Sequence, residues 1–317
     1  MSRRYSASEL VDDCAALGAM PEIYFRVCKV IDDPATTVSA VAGGISTDPA
    51  LTARVLRAVN SPLFGLSGKI ETVMRAVTVL GTQTVHDLVL AASVTGAFTA
   101  APNSTFTQKS VTCATHCRLH HRAPKLGMCR LNWRLLSNMR QFWRMSLLTG
   151  LTARALSKEC GLIDAERPFV EGLLSRVGMM IMAERIGSLI AAVARHAVST
   201  GTARHASESA FIGCNYAQAG AELLRRWHLP DSITSAIERH PQPGRDDPVD
   251  VPILHAAALI AARYETGPVS RQREVAIDAD ILSWLGLDGY AVQAAGESAI
   301  AELAATEEVM FPASKAA

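Results

Sequence analysis

The sequence predicts an all-α protein, and three observations carry that expectation. Apolar residues recur at helical spacing along almost the whole chain, runs alternating between apolar and polar are hard to find, and Asp, Thr and Pro recur where helices would start. Apolar residues make up 49% of the 317, enough for a large core in one extended domain or two smaller ones.

Taken in order, Pro21 suits the first turn of a helix running to about Ile31, where Asp32-Asp33-Pro34 stops it. Thr36 or Thr37 caps the next, through Ile45. Asp48-Pro49 reads as an N-cap followed by Pro at the first helical position, opening a helix to about Asn60 with Leu51, Val55, Leu56 and Val59 on one face. Ser61-Pro62 breaks it, and a loop with Gly65 and Gly68 leads to Thr72. The helix after Thr72 carries Val73, Val77 and Leu80 and ends at Gly81, and another runs from about Thr82 to Phe98. These short helices form a first unit. A second begins near Met139 and continues to about Cys160, followed by helices at about 165–183, 185–199, 207–227, 230–239 and 250–265. One more helix is expected after 275, before an Ala-rich end. Trp143 and Trp227 read as core aromatics.

The net charge of +1 with 19% charged residues argues against a surface built throughout for nucleic acid. Charge is nevertheless unevenly placed. From Leu88 to Lys158 there is no Asp or Glu, while ten Lys and Arg residues fall there, leaving −9 for the remainder. The chain reaches Asp12 and Asp13 before any apolar run forms, so no secretory signal is expected. The longest uncharged stretch, between Asp87 and Lys109, is interrupted by Gly96, Pro102 and Asn103, so no membrane span is expected there. Seven cysteines at irregular spacing do not form a disulfide framework, and a cytoplasmic protein with reduced thiols is expected.

The run from Asp48 to Gly65, DPALTARVLRAVNSPLFG, resembles the HDOD family, the HD-related output domains of bacterial signalling proteins. Met20-Pro21-Glu22 and Ala76-Val77-Thr78-Val79-Leu80-Gly81 fit the same pattern. So do Phe142-Trp143-Arg144-Met145-Ser146, Phe169-Val170-Glu171-Gly172-Leu173-Leu174, and the stretch from Ala221 to Pro230. Together they span roughly residues 14 to 264, and their order makes the combination specific. The resemblance implies an N-terminal helical bundle followed by a degenerate HD-like bundle. The corresponding division is 1–102 for the N-terminal subdomain, 103–138 for a basic Cys/His-rich insert, 139–275 for the HD-like subdomain and 276–317 for a C-terminal extension.

In a catalytic HD protein, His and Asp hold a hard divalent cation that activates water against a phosphoester. Carried onto this chain, the pattern puts Met145 where a first His would sit and Ser175-Arg176 in place of the His-Asp pair. Tyr216 stands where another His is common, and Ala257 and Ala258 lie near the last carboxylate. His240 remains, followed by Pro241. Thioether sulfur is too soft for Mg or Mn, and a guanidinium adds positive charge where a dication should sit. No metal, no cofactor and no catalytic residue is therefore expected.

Other constellations compete with blander readings. Cys113, His116, Cys117, His120, His121 and Cys129 crowd the insert, and Cys113, His116, Cys117 and Cys129 are the zinc candidates, although the spacing matches no usual zinc motif. A loop, an insertion without selected function or an out-of-frame segment explains the same stretch. The basic segment 109–144 could neutralise phosphates, with Trp133 stacking on a base, yet its leucines fit a packed helix equally. Residues 38–60 look like a helix-turn-helix, but their apolar positions are needed for packing. Asn60 and Ser61, at a helix end, fit either capping or binding. There is no GxSxG and no GxxxxGK phosphate loop.

The expectation is thus a non-catalytic regulatory protein of HDOD type, acting through signalling protein partners, with Asn60, Ser61, Arg176 and His240 as binding candidates. The alternatives are a metal-dependent phosphohydrolase acting on a cyclic dinucleotide or nucleotide, and a nucleic-acid-binding regulator using 109–144.

Overall fold

The computed structural model describes residues 4–12, 22–61, 64–66, 68–99, 139–162, 165–264 and 277–310. These residues form fourteen helices and no strand. The first five are α1 (Ala7–Asp12), α2 (Glu22–Ile31), α3 (Val38–Ser46), α4 (Pro49–Val59) and α5 (Val73–Thr99). The rest are α6 (Met139–Glu159), α7 (Glu166–Leu174), α8 (Val177–Thr200), α9 (Arg204–Phe211), α10 (Tyr216–Arg226), α11 (Asp231–Arg239), α12 (Asp250–Arg263), α13 (Ala279–Leu285) and α14 (Gly289–Met310).

Several starts follow from side chains that satisfy orphan backbone donors. Thr37 Oγ1 accepts from the Ala40 amide at 3.2 Å, Asp48 Oδ1 from Leu51 at 3.0 Å, and Thr72 Oγ1 from Arg75 at 3.2 Å. Gly81, at φ 83°, kinks α5 where the sequence places a helix end.

Three expectations need correction. The helix expected over 165–183 breaks at Ser175-Arg176, and α8 begins only at Val177. The helix expected over 207–227 is two, because the chain turns at Gly213, φ 108°, and Asn215 starts α10 with a capping box. There, Asn215 Oδ1 accepts from the Gln218 amide and Gln218 Oε1 from the Asn215 amide, both at 3.0 Å. The tail holds two helices. Asp278 caps α13 through the Asp280 amide at 2.9 Å, Gly286 ends it at φ 65°, and Asp288 accepts from Ala291 at 2.8 Å as α14 begins. Helix α1 was not foreseen.

Two compact units divide the described residues, and neither is continuous in sequence. The first holds 4–12, 139–146 and 174–251, and the second 22–99, 147–173 and 252–310. In the second, α2, α3 and α4 pack on α5 and bury Val27, Val41, Ile45, Val55, Val77 and Val89. The same unit gathers Ala153 and Leu156 of α6, Ile253, Ala257 and Ile260 of α12, Leu285, Leu287 and Val292 into one apolar cluster. Arg154 is almost fully buried, and its guanidinium meets Glu302 of α14 at 2.7 Å and Glu166 at 3.7 Å. Helices α6 and α7 cross at glycines: a Cβ on Gly172 would lie 2.6 Å from the Gly150 Cα.

In the first unit, α8 and α10 cross even more closely. A Cβ on Gly178 would sit 1.9 Å from the Tyr216 carbonyl oxygen and 2.5 Å from the Gly220 amide nitrogen. The N-terminal residues are tied to the same unit. The Tyr5 amide donates to the Ile212 carbonyl at 2.6 Å, and Arg226 reaches Asp12 at 2.5 Å and Ser8 Oγ at 2.8 Å.

Two stretches, Val73–Val94 and Glu166–Thr200, are long and apolar enough to cross a membrane by composition. More than half of each is buried within the protein, Gly81 interrupts the first, and the Ser175-Arg176 turn and Ile186 interrupt the second.

The crossings separate two kinds of glycine. Gly178→Ala should destabilise the protein by about 1–3 kcal/mol or more, because both neighbours are backbone and cannot swing away. Gly43→Ala, exposed inside α3 with no atom within 4 Å of the new Cβ, should stabilise it by about 1 kcal/mol. Urea denaturation of the two variants checks both signs.

Candidate functional site

The segment replacing the His-Asp pair is a turn between α7 and α8. Arg176, the residue before α8, has φ −100° and ψ −3°, at the edge of the right-handed region, and the Met179 amide donates to its carbonyl at 2.9 Å. Ser175 is 1% exposed. The close α8–α10 crossing brings this turn to the start of α10, so the Arg176 guanidinium acts electrostatically on the Tyr216 phenol.

Tyr216 is the centre of the group. Its hydroxyl lies 3.1 Å from His240 Nε2, and the two rings meet edge to face with centroids 5.8 Å apart. His240 is 1% exposed, and its Nδ1 donates to the Ile237 carbonyl at 2.6 Å. That bond leaves Nε2 as the ring's acceptor, so the Tyr216 hydroxyl donates to it. Burial pushes the phenol up to about 12; the Glu208 carboxylate adds to this, and Arg176 and Arg204 oppose it.

Glu208 is a buried carboxylate with a donor on each oxygen. It accepts from Arg204 Nε at 2.6 Å and from the Tyr216 amide at 2.8 Å, while the Arg204 guanidinium stands 5.9 Å from the Tyr216 ring centroid. Sequence reasoning missed both residues. The i, i+4 spacing of Arg204 and Glu208 was the available signal, but nothing in it distinguishes this buried pair from an ordinary surface one.

The donor set does not fit a hard dication. Met145 is buried in the same unit and offers a thioether, and Ser175, Arg176 and Tyr216 offer a hydroxyl, a guanidinium and a phenol of raised pKa. His240 turns its acceptor nitrogen to Tyr216. Among the described residues no three His, Cys, Asp or Glu side chains converge as a metal site. Ala257 belongs to the apolar cluster of the second unit.

Of the candidates read from sequence, Arg176 and His240 thus come together around Tyr216. Asn60 and Ser61 lie in the other unit, on a pocket of about 470 Å³ that Val59, Gly65, Leu66, Gly68 and Lys69 also line. Asn60 clamps its loop there: Oδ1 accepts from the Ile70 amide, and Nδ2 donates to the Ile70 and Leu56 carbonyls, each at 2.7 Å. Ser61 Oγ donates to the Ala58 carbonyl at 2.6 Å. The zinc candidates Cys113, His116, Cys117 and Cys129, and the part of the basic segment from 109 to 138, lie outside the described residues.

A family model of the HDOD domain matches residues 17–130 and 124–243. An HDOD domain protein of unknown function from Geobacter sulfurreducens has a solved structure that aligns with a TM-score of 0.68 at 19% identity, covering 97% of each chain. A candidate phosphohydrolase from Shewanella amazonensis SB2B aligns at 0.63 and 24% identity, covering 95% of this chain and 96% of the other. A candidate signal transduction protein from Marinobacter aquaeolei VT8 aligns at 0.64 and 20% identity, covering 98% of this chain and 62% of the other. At these identities the structures establish a shared helical fold. An uncharacterized protein of Treponema pallidum (strain Nichols) is 20% identical over 238 residues, and the match covers 74% of this chain but only 39% of that protein's length.

Tyr216→Phe removes the hydroxyl that satisfies a ring nitrogen of buried His240, which should cost about 1–3 kcal/mol in urea denaturation. Adding His240→Phe to it should not restore that loss, because the Ile237 carbonyl then loses its Nδ1 donor and Pro241 offers no amide in its place.

Proposed function

Since the chain belongs to the HDOD family, we propose that it is a signal-transduction protein that regulates by binding another protein rather than by turnover. The observation that carries this reading is the internal closure of the Tyr216 group. Its acceptors bond protein donors, and one of its cations, Arg176, stands where a catalytic HD protein keeps a metal ligand. A phosphoester hydrolase of the HD kind needs the reverse, imidazoles and carboxylates turned toward a shared dication. The partner is read as a signalling protein met in the cytoplasm. No nucleic-acid contact and no membrane is needed for that role.

The name of the Shewanella protein supplies the alternative, metal-dependent phosphohydrolysis, and one assay decides between them. The full chain, incubated with Mg²⁺, Mn²⁺ or Fe²⁺ and a cyclic dinucleotide or bis-p-nitrophenyl phosphate, should release product at the rate of buffer with metal alone. Turnover that a chelator abolishes and that falls in Tyr216→Phe would overturn the reading. Chemical crosslinking and capture from native cells should in turn recover a protein partner.

A further inference from the structure

A second cluster of reactive groups is built across α2 and α5, within one compact unit. Cys28 Sγ lies 3.3 Å from His86 Nε2, although the residues are 58 positions apart. On the other side of the ring, Nδ1 lies 3.3 Å from Asp87 Oδ1, and Gln83 Nε2 donates to that same oxygen at 3.1 Å. Tyr24 lies one turn before Cys28, and its ring centroid is 6.1 Å from that of His86. A nucleophile, a base within hydrogen-bond reach and a third group orienting the base are the parts that activate a thiol.

Exposure is graded along the cluster. His86 is 8% exposed, Asp87 and Tyr24 are each 2% exposed, and Cys28 is only partly buried. The groups around the sulfur are thus more deeply buried than the residue that carries it. Asp87 Oδ2 is buried with no hydrogen-bond partner among the described residues, an arrangement that is costly unless a cation faces the carboxylate. His86 supplies that cation. Burial opposes its charge, but the hydrogen bonds to Asp87 and then Cys28 outweigh burial and push the imidazole up to about 10.

The other described cysteines lack these parts. Cys160 is also partly buried, but its sulfur faces the Leu285 carbonyl at 3.6 Å, and burial together with Glu159 pushes its thiol up. Cys214 is buried, which with Glu208 and Glu9 pushes it up to about 11.

We propose that Cys28 is a modification site, a thiol that a hydroperoxide oxidises to a sulfenic acid and a low-molecular-weight thiol then caps as a mixed disulfide. A small oxidant suits a sulfur set in the packed seam of two helices. In the first step the sulfur lone pair attacks one peroxide oxygen, and the S–O bond forms as the O–O bond breaks. The proton shared by Sγ and Nε2 passes to the leaving oxygen, giving an alcohol or water; sulfur loses two electrons and the peroxide gains them. In the second step the capping sulfur attacks the sulfenic sulfur, the S–S bond forms, the S–O bond breaks and water leaves. The added group lies where α2 buries Tyr24 and Val27, so modification bears on the packing of α2 against α5.

The test uses the full, reduced chain at pH 7 with hydrogen peroxide and dimedone, followed by mass spectrometry of each cysteine. Cys28 should acquire the sulfenic adduct at least fivefold faster than Cys160, and His86→Gln, with unchanged circular dichroism, should lower the Cys28 rate at least fivefold. A Cys28 rate less than fivefold that of Cys160 in the unaltered protein overturns the proposal. So does a folded His86→Gln variant whose Cys28 reacts as before. Should that variant fail to fold, the comparison within the unaltered protein decides alone.

Discussion

Two places where helix backbones approach so closely that only hydrogen fits between them govern this structure. Gly172 meets Gly150 where α7 crosses α6, and Gly178 meets Tyr216 and Gly220 where α8 crosses α10. At such distances the atoms across the contact belong to the main chain, so no rotamer change can make room for a methyl group. These two glycines flank Ser175-Arg176 in sequence, each making its close contact inside its own compact unit. Arg176 reaches Tyr216 electrostatically because Gly178 lets α8 settle onto the start of α10.

Around that turn the chemistry is consistent in sign. The catalytic HD pattern asks for imidazole and carboxylate facing a cation, whereas here cationic guanidiniums face a phenol, and the nearby carboxylate, Glu208, is held by Arg204 and a backbone amide. His240 keeps the residue type of a ligand but not its availability, since one nitrogen serves the Ile237 carbonyl and the other receives Tyr216. A buried polar network of this kind is costly to disturb at any single member, because the remaining partners are left desolvated and unsatisfied.

Much of the fold was legible because its helix starts are local chemistry. Thr37, Asp48-Pro49, Thr72 and Gly81 act in the structure as their residue types indicate. The misses have equally local causes: the Ser175-Arg176 turn interrupts an apolar stripe that never loses its period, and the Asn215–Gln218 capping box was passed over inside a longer helical pattern. The candidate site was legible as a frame with altered residues, through Ser175, Arg176, Tyr216 and His240. Its internal wiring was not, because the Tyr216–His240 bond spans 24 positions and follows from how α10 and α11 pack. Cys28 and His86 meet across 58 positions, and nothing in either neighbourhood of the sequence announces the other.

The central claim is that the altered HD frame is no longer a metal centre, and Mn²⁺ binding to the full chain tests it most directly. Mn²⁺ is a hard cation that the thiols and imidazoles of the zinc candidates bind poorly, so it addresses the Tyr216 group rather than them. Calorimetric titration should show no saturable binding near one equivalent, and His240→Ala should leave the trace unchanged. One equivalent of tightly bound Mn²⁺, lost in His240→Ala, would contradict the account.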